Sequence, residues 1–238
     1  VIIFFSTLEA KNLDKFNDAG HVSDYFSGIL LLNDNQYNSS FKFFKKLNGL
    51  EESHINYSIK YLYTLVNSGN LNEAFNYSKK LEKQKLDSFE SNLITGIFYL
   101  KNSNLELAKK YFLQAKDKDS RFVLNNYVSS SLYNWSNLSS VDINSAILEL
   151  KKLDKRFENL KKIQNAFLNC YYKNSNTNEL FSSLNSNKKT DFSRYNYFHA
   201  SYAVSVGKID EARNIVQSAL KLYPRNLLLN QYKDDLNE

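Results

Sequence analysis

Residues of matching type recur every 34 positions along this 238-residue chain, and no other property narrows its fold as far. Gly28 and Gly96 stand two steps apart, with Leu62 midway. Ala74 and Ala108 are one step apart, and Ser40 lies one step before them. Tyr37, Leu71 and Leu105 keep the same interval, as do Leu31, Leu65 and Tyr99. So do Phe44, Ser78 and Phe112, and then Leu47, Leu81 and Ala115. Self-similarity at a fixed period marks an array in which each unit is too small to bury its own apolar face and completes it on its neighbours. One Pro and six Gly in the whole chain supply too few turn formers for a many-stranded β fold or a collagen-like one.

Within a unit the spacing is helical. Residues 55–66 are apolar on nearly all sides, so the helix they predict is covered on more than one face. Asn67-Ser68-Gly69-Asn70 is a turn composition. Residues 71–81 place Leu71, Ala74, Phe75, Ser78 and Leu81 on one face of a second helix. Ala74 is small where two helices must approach closely. Residues 92–101 and 105–116 repeat the plan around Asn102-Ser103-Asn104. Each unit is therefore expected to be a helix, a tight turn and an antiparallel helix.

This pattern resembles the tetratricopeptide repeat, whose 34-residue unit sets small and aromatic residues at fixed offsets and ends on Pro. The last unit matches best, with Ala200, Ala203, Gly207, Ile209, Ala212, Val216, Ala219 and Pro224. Gly28, Gly69, Gly96 and Gly207, four of the six glycines, fall on motif positions, as does the single Pro. The resemblance implies an all-α, right-handed superhelical solenoid of antiparallel helix pairs. About six units fit between His21 and Asn226, with two residues over. Residues 21–120 and 193–226 match well, 121–192 are degenerate, and 227–238 form a polar-tipped capping helix. In the degenerate stretch Val123 to Trp135 reads as a first helix, and 142–154 as its partner after a short insertion near Ser139. Residues 157–173 and 177–185 read as a further pair.

Residues 1–19 are expected to be an N-terminal segment outside the array. Val1-Ile2-Ile3-Phe4-Phe5 is too short to span a bilayer, which needs ~20 apolar residues. Followed by the abruptly polar Lys11 to Asp18, it reads as the remnant of a signal peptide, which would place the protein in the periplasm or otherwise outside the cytoplasm. The alternatives are a short apolar segment packed on the first repeat, and a cytoplasmic protein. The resemblance is accordingly to exported bacterial tetratricopeptide proteins.

Catalytic chemistry has little material here. One Cys excludes an internal disulfide framework and a cysteine zinc site. No phosphate-cradling Gly-rich loop, His-Glu-x-x-His or Gly-x-Ser-x-Gly occurs. His199, beside Ala200, reads as a packed helix residue, Cys170 as a small hydrophobe, and Glu51-Glu52 as a solvated unit boundary. No enzymatic activity, cofactor or metal is expected. The net charge of +6 is dilute. Lysines recur on the second helices (Lys42, Lys45 and Lys46; Lys79, Lys80 and Lys83; Lys109 and Lys110; Lys151 and Lys152), where they read as a solvated outer face.

The family resemblance implies that first helices line an inner groove. Carried over, its positions here include Tyr25, Ile29, Ile59, Tyr63, Val66, Leu93, Ile97, Tyr127 and Tyr197. A contiguous apolar, Tyr-rich lining on a water-exposed surface marks a binding surface for a partner protein or peptide. The opposing expectation is that the groove fills with its own side chains. Capture of a terminal carboxylate, as some members perform with Lys and Asn, does not fit: Asn33 and Asn67 suit one position, but Tyr25, Ile29, Ile59 and Tyr63 occupy the others. An RNA-binding helical repeat is the alternative, and it would need a basic, polar inner face.

Overall fold

The computed structural model describes residue 16 and residues 18–118, 122–185 and 192–237. The expected leader remnant at 1–8 lies outside the described residues. Among the described residues there are thirteen α-helices, three short 3-10 turns and no strand. The chain divides into two compact units, parting between Ser136 and Asn137.

The first unit contains α1 (Ala19–Asn33), α2 (Tyr37–Lys46), α3 (Ile55–Asn67), α4 (Leu71–Lys83), α5 (Phe89–Lys101), α6 (Leu105–Lys118) and α7 (Val123–Ser136). Each helix packs on the next. Local chemistry fixes the starts: the Asp18 carboxylate accepts from the His21 amide at 2.9 Å, and Ser88 and Ser91 form a reciprocal capping box ahead of α5.

The first helices end in one recurring backbone device. Asn35, Gly69 and Ser103 take left-handed φ values of 58°, 76° and 59°. The following amide then reaches back five residues: Gln36 N–H to Leu31 O at 2.8 Å, Asn70 N–H to Leu65 O at 2.9 Å, and Asn104 N–H to Tyr99 O at 2.9 Å. These are Schellman turns, which satisfy the carbonyls that a helix leaves open. The three left-handed residues stand 34 apart in the chain.

Packing within the hairpins explains the column of small residues. A Cβ built on Gly28 would lie 2.8 Å from the Phe44 ring, and one on Gly96 would lie 2.5 Å from the Phe112 ring. Both rings are fully buried. In the second hairpin the sizes are exchanged: buried Leu62 stands at the glycine position and buried Ser78 at the phenylalanine position. Volume is conserved across the pair while its distribution is reversed. The aromatic core then runs from Phe44 to Tyr57 (6.0 Å), Tyr61 (5.7 Å) and Tyr77 (4.8 Å between ring centres). The Tyr57 hydroxyl donates to the Phe44 carbonyl at 2.8 Å, so its polar tip is satisfied inside the core.

Glu51 corrects the sequence reading. It is 1% exposed rather than solvated. It sits in the 3-10 turn Leu50–Glu52, where it accepts from the Gly49 amide at 2.9 Å and the Tyr77 hydroxyl at 3.4 Å. Its carboxylate also pairs with the Lys80 ammonium. Burial of this charge is possible because those donors surround it. The second-helix lysines are likewise not merely solvated: Lys79 pairs with Glu82 and contacts the Tyr111 hydroxyl on α6.

The second unit contains α8 (Ile143–Lys152), α9 (Glu158–Tyr171), α10 (Thr177–Asn185), α11 (Ser193–Ser205), α12 (Ile209–Leu222) and α13 (Leu227–Asp235). The expected insertion near Ser139 forms the 3-10 turn Leu138–Ser140. Tyr172 pins it by donating to the Leu138 and Val141 carbonyls at 2.9 and 2.8 Å. Schellman turns recur at Lys173 and Gly207, again 34 apart, with Asn174 N–H to Asn169 O and Lys208 N–H to Ala203 O both at 2.8 Å. Between α11 and α12 the core is Ala200, Ala203, Ala212 and Val216. His199 is buried against Phe181. Its ring nitrogens meet the Asn178 side-chain oxygen at 3.0 Å and the Asn185 side-chain nitrogen at 3.1 Å. Cys170 is half-buried beside this core, and burial pushes its thiol pKa up, away from the reactive thiolate. α13 buries Leu229 and sets Tyr232 edge-on against Tyr197, but it is not polar-tipped throughout: Leu227 is 86% exposed.

Candidate functional site

The first helices of the first unit carry its apolar surface. On α3, Tyr63 is 53% exposed and Val66 is 39% exposed; on α5, Ile97 is 46% exposed. Their helices are neighbours. Residues three or four apart on a helix share a face, so Ile59, Tyr63 and Val66 follow one another along α3.

Two clefts open on this face. One, of about 200 Å³, is lined by Val66, Leu71, Ile94, Ile97 and Phe98, with Asn72, Lys101 and Asn102 at its edge. Phe98 in its lining stacks on Phe75, with ring centres 3.8 Å apart. The second is wider, about 450 Å³, and more polar, with Leu32, Asn33, Asn35, Ile59, Lys60 and Tyr63. Tyr63 leans edge-on against Tyr37 at 6.3 Å, which limits its freedom before any partner arrives.

The remaining expected positions are placed otherwise. Tyr25 is half-buried, its hydroxyl held by His54 Nε2 at 2.8 Å, and burial raises its pKa. Ile29 packs against the aromatic core. Leu93 is half-buried. Tyr127 is 6% exposed, so it serves as core and offers a partner almost no surface. Tyr197 belongs to the second unit, where Tyr232 covers it at 4.8 Å. The structure thus gathers Ile59, Tyr63, Val66 and Ile97 around two clefts and gives the other positions packing roles. The sequence reading omitted Leu71, Ile94 and Phe98. Ile94 and Phe98 each lie one residue after an expected position, and Leu71 begins a second helix, which that reading assigned to the outer face.

Among the described residues no group of three or more His, Cys, Asp or Glu is placed to hold a metal ion. No helix there is long and apolar enough to cross a membrane.

No family model matches the chain, and no characterised protein matches it by sequence. Solved structures do. The apo form of the quorum sensor NprR from B. thuringiensis is similar at 12% identity and a TM-score of 0.60, over 94% of this chain and 71% of that one. The APC/C hetero-tetramer Cut9-Hcn1 is similar at 13% identity and 0.59, over 91% of this chain. This chain spans only 42% of the Cut9-Hcn1 chain it matches. Pseudomonas aeruginosa pilF is similar at 13% identity and 0.55, over 91% of this chain and 97% of that one. At such identities the likeness establishes the fold: an all-α helical-repeat solenoid of the tetratricopeptide type.

Proposed function

We propose that this protein is a non-enzymatic interaction scaffold that docks a partner polypeptide on the first-helix face of α3 and α5. The observation that carries this reading is the surface cleft lined by Val66, Leu71, Ile94, Ile97 and Phe98, mostly apolar, with Phe98 stacked on Phe75. An anchor side chain entering it leaves water for apolar walls, and such anchors dominate binding energy. Protein is favoured over RNA as the partner because the cleft is aliphatic. In addition, Lys45, Lys79, Lys80 and Lys109 of the second helices are each paired with an acid. We also propose export, supported by the apolar start and polar switch of residues 1–18. Fractionation of cells expressing the natural full-length protein tests this, and a purely cytoplasmic signal rejects it.

The docking reading is tested with peptides selected from a random display library against the wild-type chain. The Tyr63→Ala/Ile97→Ala double variant should stay folded, since both side chains are about half exposed, and should bind the selected peptides at least about tenfold more weakly. Equal binding by that variant, or no selected peptide at all, would reject the reading. Ala108→Leu is the contrasting control: Ala108 is fully buried, so it should lose helical signal before it loses any specific contact.

A further inference from the structure

Two lysines of this face line clefts that hold no carboxylate. Lys79, Lys80, Lys109 and Lys161 are partly buried, and each has a carboxylate partner: Glu82, Glu51, Glu106 and Glu158. Lys60 on α3 is also half-buried, and Lys101 ends α5 exposed. Among the described residues neither has an acidic partner; Lys60 lines the wider cleft and Lys101 the apolar one. No carboxylate lines either cleft. An ammonium at a cleft with no carboxylate to share it gains from an incoming anion.

Building on the docking function proposed above, we infer that the α3–α5 face takes an acidic, apolar-anchored segment of a partner protein. A large aliphatic or aromatic side chain fills the cleft beside Val66 and Ile97, and Asp or Glu residues flanking it in the partner pair with Lys60 and Lys101. Charge complementarity selects the partner and the apolar anchor holds it. Single-stranded RNA, the other anionic polymer, would need exposed stacking rings along the cleft. The apolar cleft presents aliphatic walls instead, and its one ring, Phe98, is already stacked on Phe75.

The test uses the peptides selected from a random 12-residue library against the wild-type chain. Their consensus should show Asp or Glu around a large apolar residue. A synthetic consensus peptide and its Asp→Asn, Glu→Gln counterpart are then titrated against wild type and K60E/K101E at two salt concentrations. The acidic peptide should bind K60E/K101E about tenfold more weakly than wild type, and its binding to wild type should weaken with salt. The neutralised peptide should bind both proteins within about twofold, which also shows that the variant is folded. Selected peptides without an acidic excess, or an acidic peptide indifferent to K60E/K101E, would overturn this inference and leave the docking face standing. Displacement of the acidic peptide by polyuridine RNA at matched charge concentration would overturn it in favour of nucleic acid. Failure to select any peptide sensitive to Tyr63→Ala/Ile97→Ala would remove the docking reading and this one together.

Discussion

The hairpins of α1 to α6 keep a strict 34-residue rhythm, whereas the helices around α7 to α10 break it with an insertion before it resumes at Lys173 and Gly207. In the former, one large and one small side chain meet across the hairpin, as Gly28 meets Phe44 and Gly96 meets Phe112. In the latter, the four-residue insertion sets α8 38 residues after α6, so half-buried Ser130 stands at the Gly96 position and buried Leu150 at the Phe112 position, and a tyrosine from further along the chain steadies the irregular turn through Leu138 and Val141. Both stretches match a small residue with a large one; the irregular one adds polar contacts made at a distance, and its small residue is a half-buried serine instead of a glycine pressed against a ring.

Substitutions at one column should expose that difference. Gly96→Leu drives a side chain into the Phe112 ring and should cost about 3 kcal/mol in urea denaturation. Adding Phe112→Ser recreates the Leu62 and Ser78 arrangement and should recover more than half of that loss. If the double variant is no better than the single one, exchange of volume is not what equates the hairpins. Next in size is Lys80→Met, which leaves the buried Glu51 carboxylate without its cation. It should destabilise by about 2 kcal/mol, less than a wholly enclosed pair would, because the Lys80 side chain is 36% exposed. Lys80→Met combined with Glu51→Gln should return part of it.

The second unit should be the pH-sensitive one. Burial depresses the His199 pKa below its ordinary value; Glu211 opposes the shift and Lys208 adds to it. A group whose folded pKa is lowered binds its proton more readily in the unfolded chain. The stability it confers is therefore complete above about pH 6.5 and drains away as pH falls through the lower folded value. The thermal midpoint should drop on acidification below pH 6, and His199→Gln should flatten that part of the curve. An unchanged slope in the variant would assign the acid sensitivity elsewhere. The smallest effect is expected at Ser130→Leu, below about 1 kcal/mol, since that residue is half-buried. A loss there equal to that of Gly96→Leu would erase the distinction between the two regions.

Much of this was legible in the residues themselves. Apolar spacing located α3 to α6 to within a few positions, and small residues marked the close approaches, because both depend on neighbours within one hairpin. Glu51 was misread because its donors include Lys80 and Tyr77, well beyond any local window. Tyr127 was misread because a tyrosine at a groove position looks the same whether neighbours cover it or not. The clefts were only half visible: Tyr63, Val66 and Ile97 follow from helix register, whereas Leu71 enters from the start of the next helix.

The Schellman turns carry one more consequence. Their bonds run from backbone amide to backbone carbonyl, and the left-handed position accepts Asn, Gly, Ser and Lys alike in this chain. The joint therefore acts as a hinge pin whose shape is indifferent to its label. Where such pins follow one another at a fixed interval, as at Asn35, Gly69 and Ser103, new surface chemistry can be trialled on one hairpin while its neighbours keep their register.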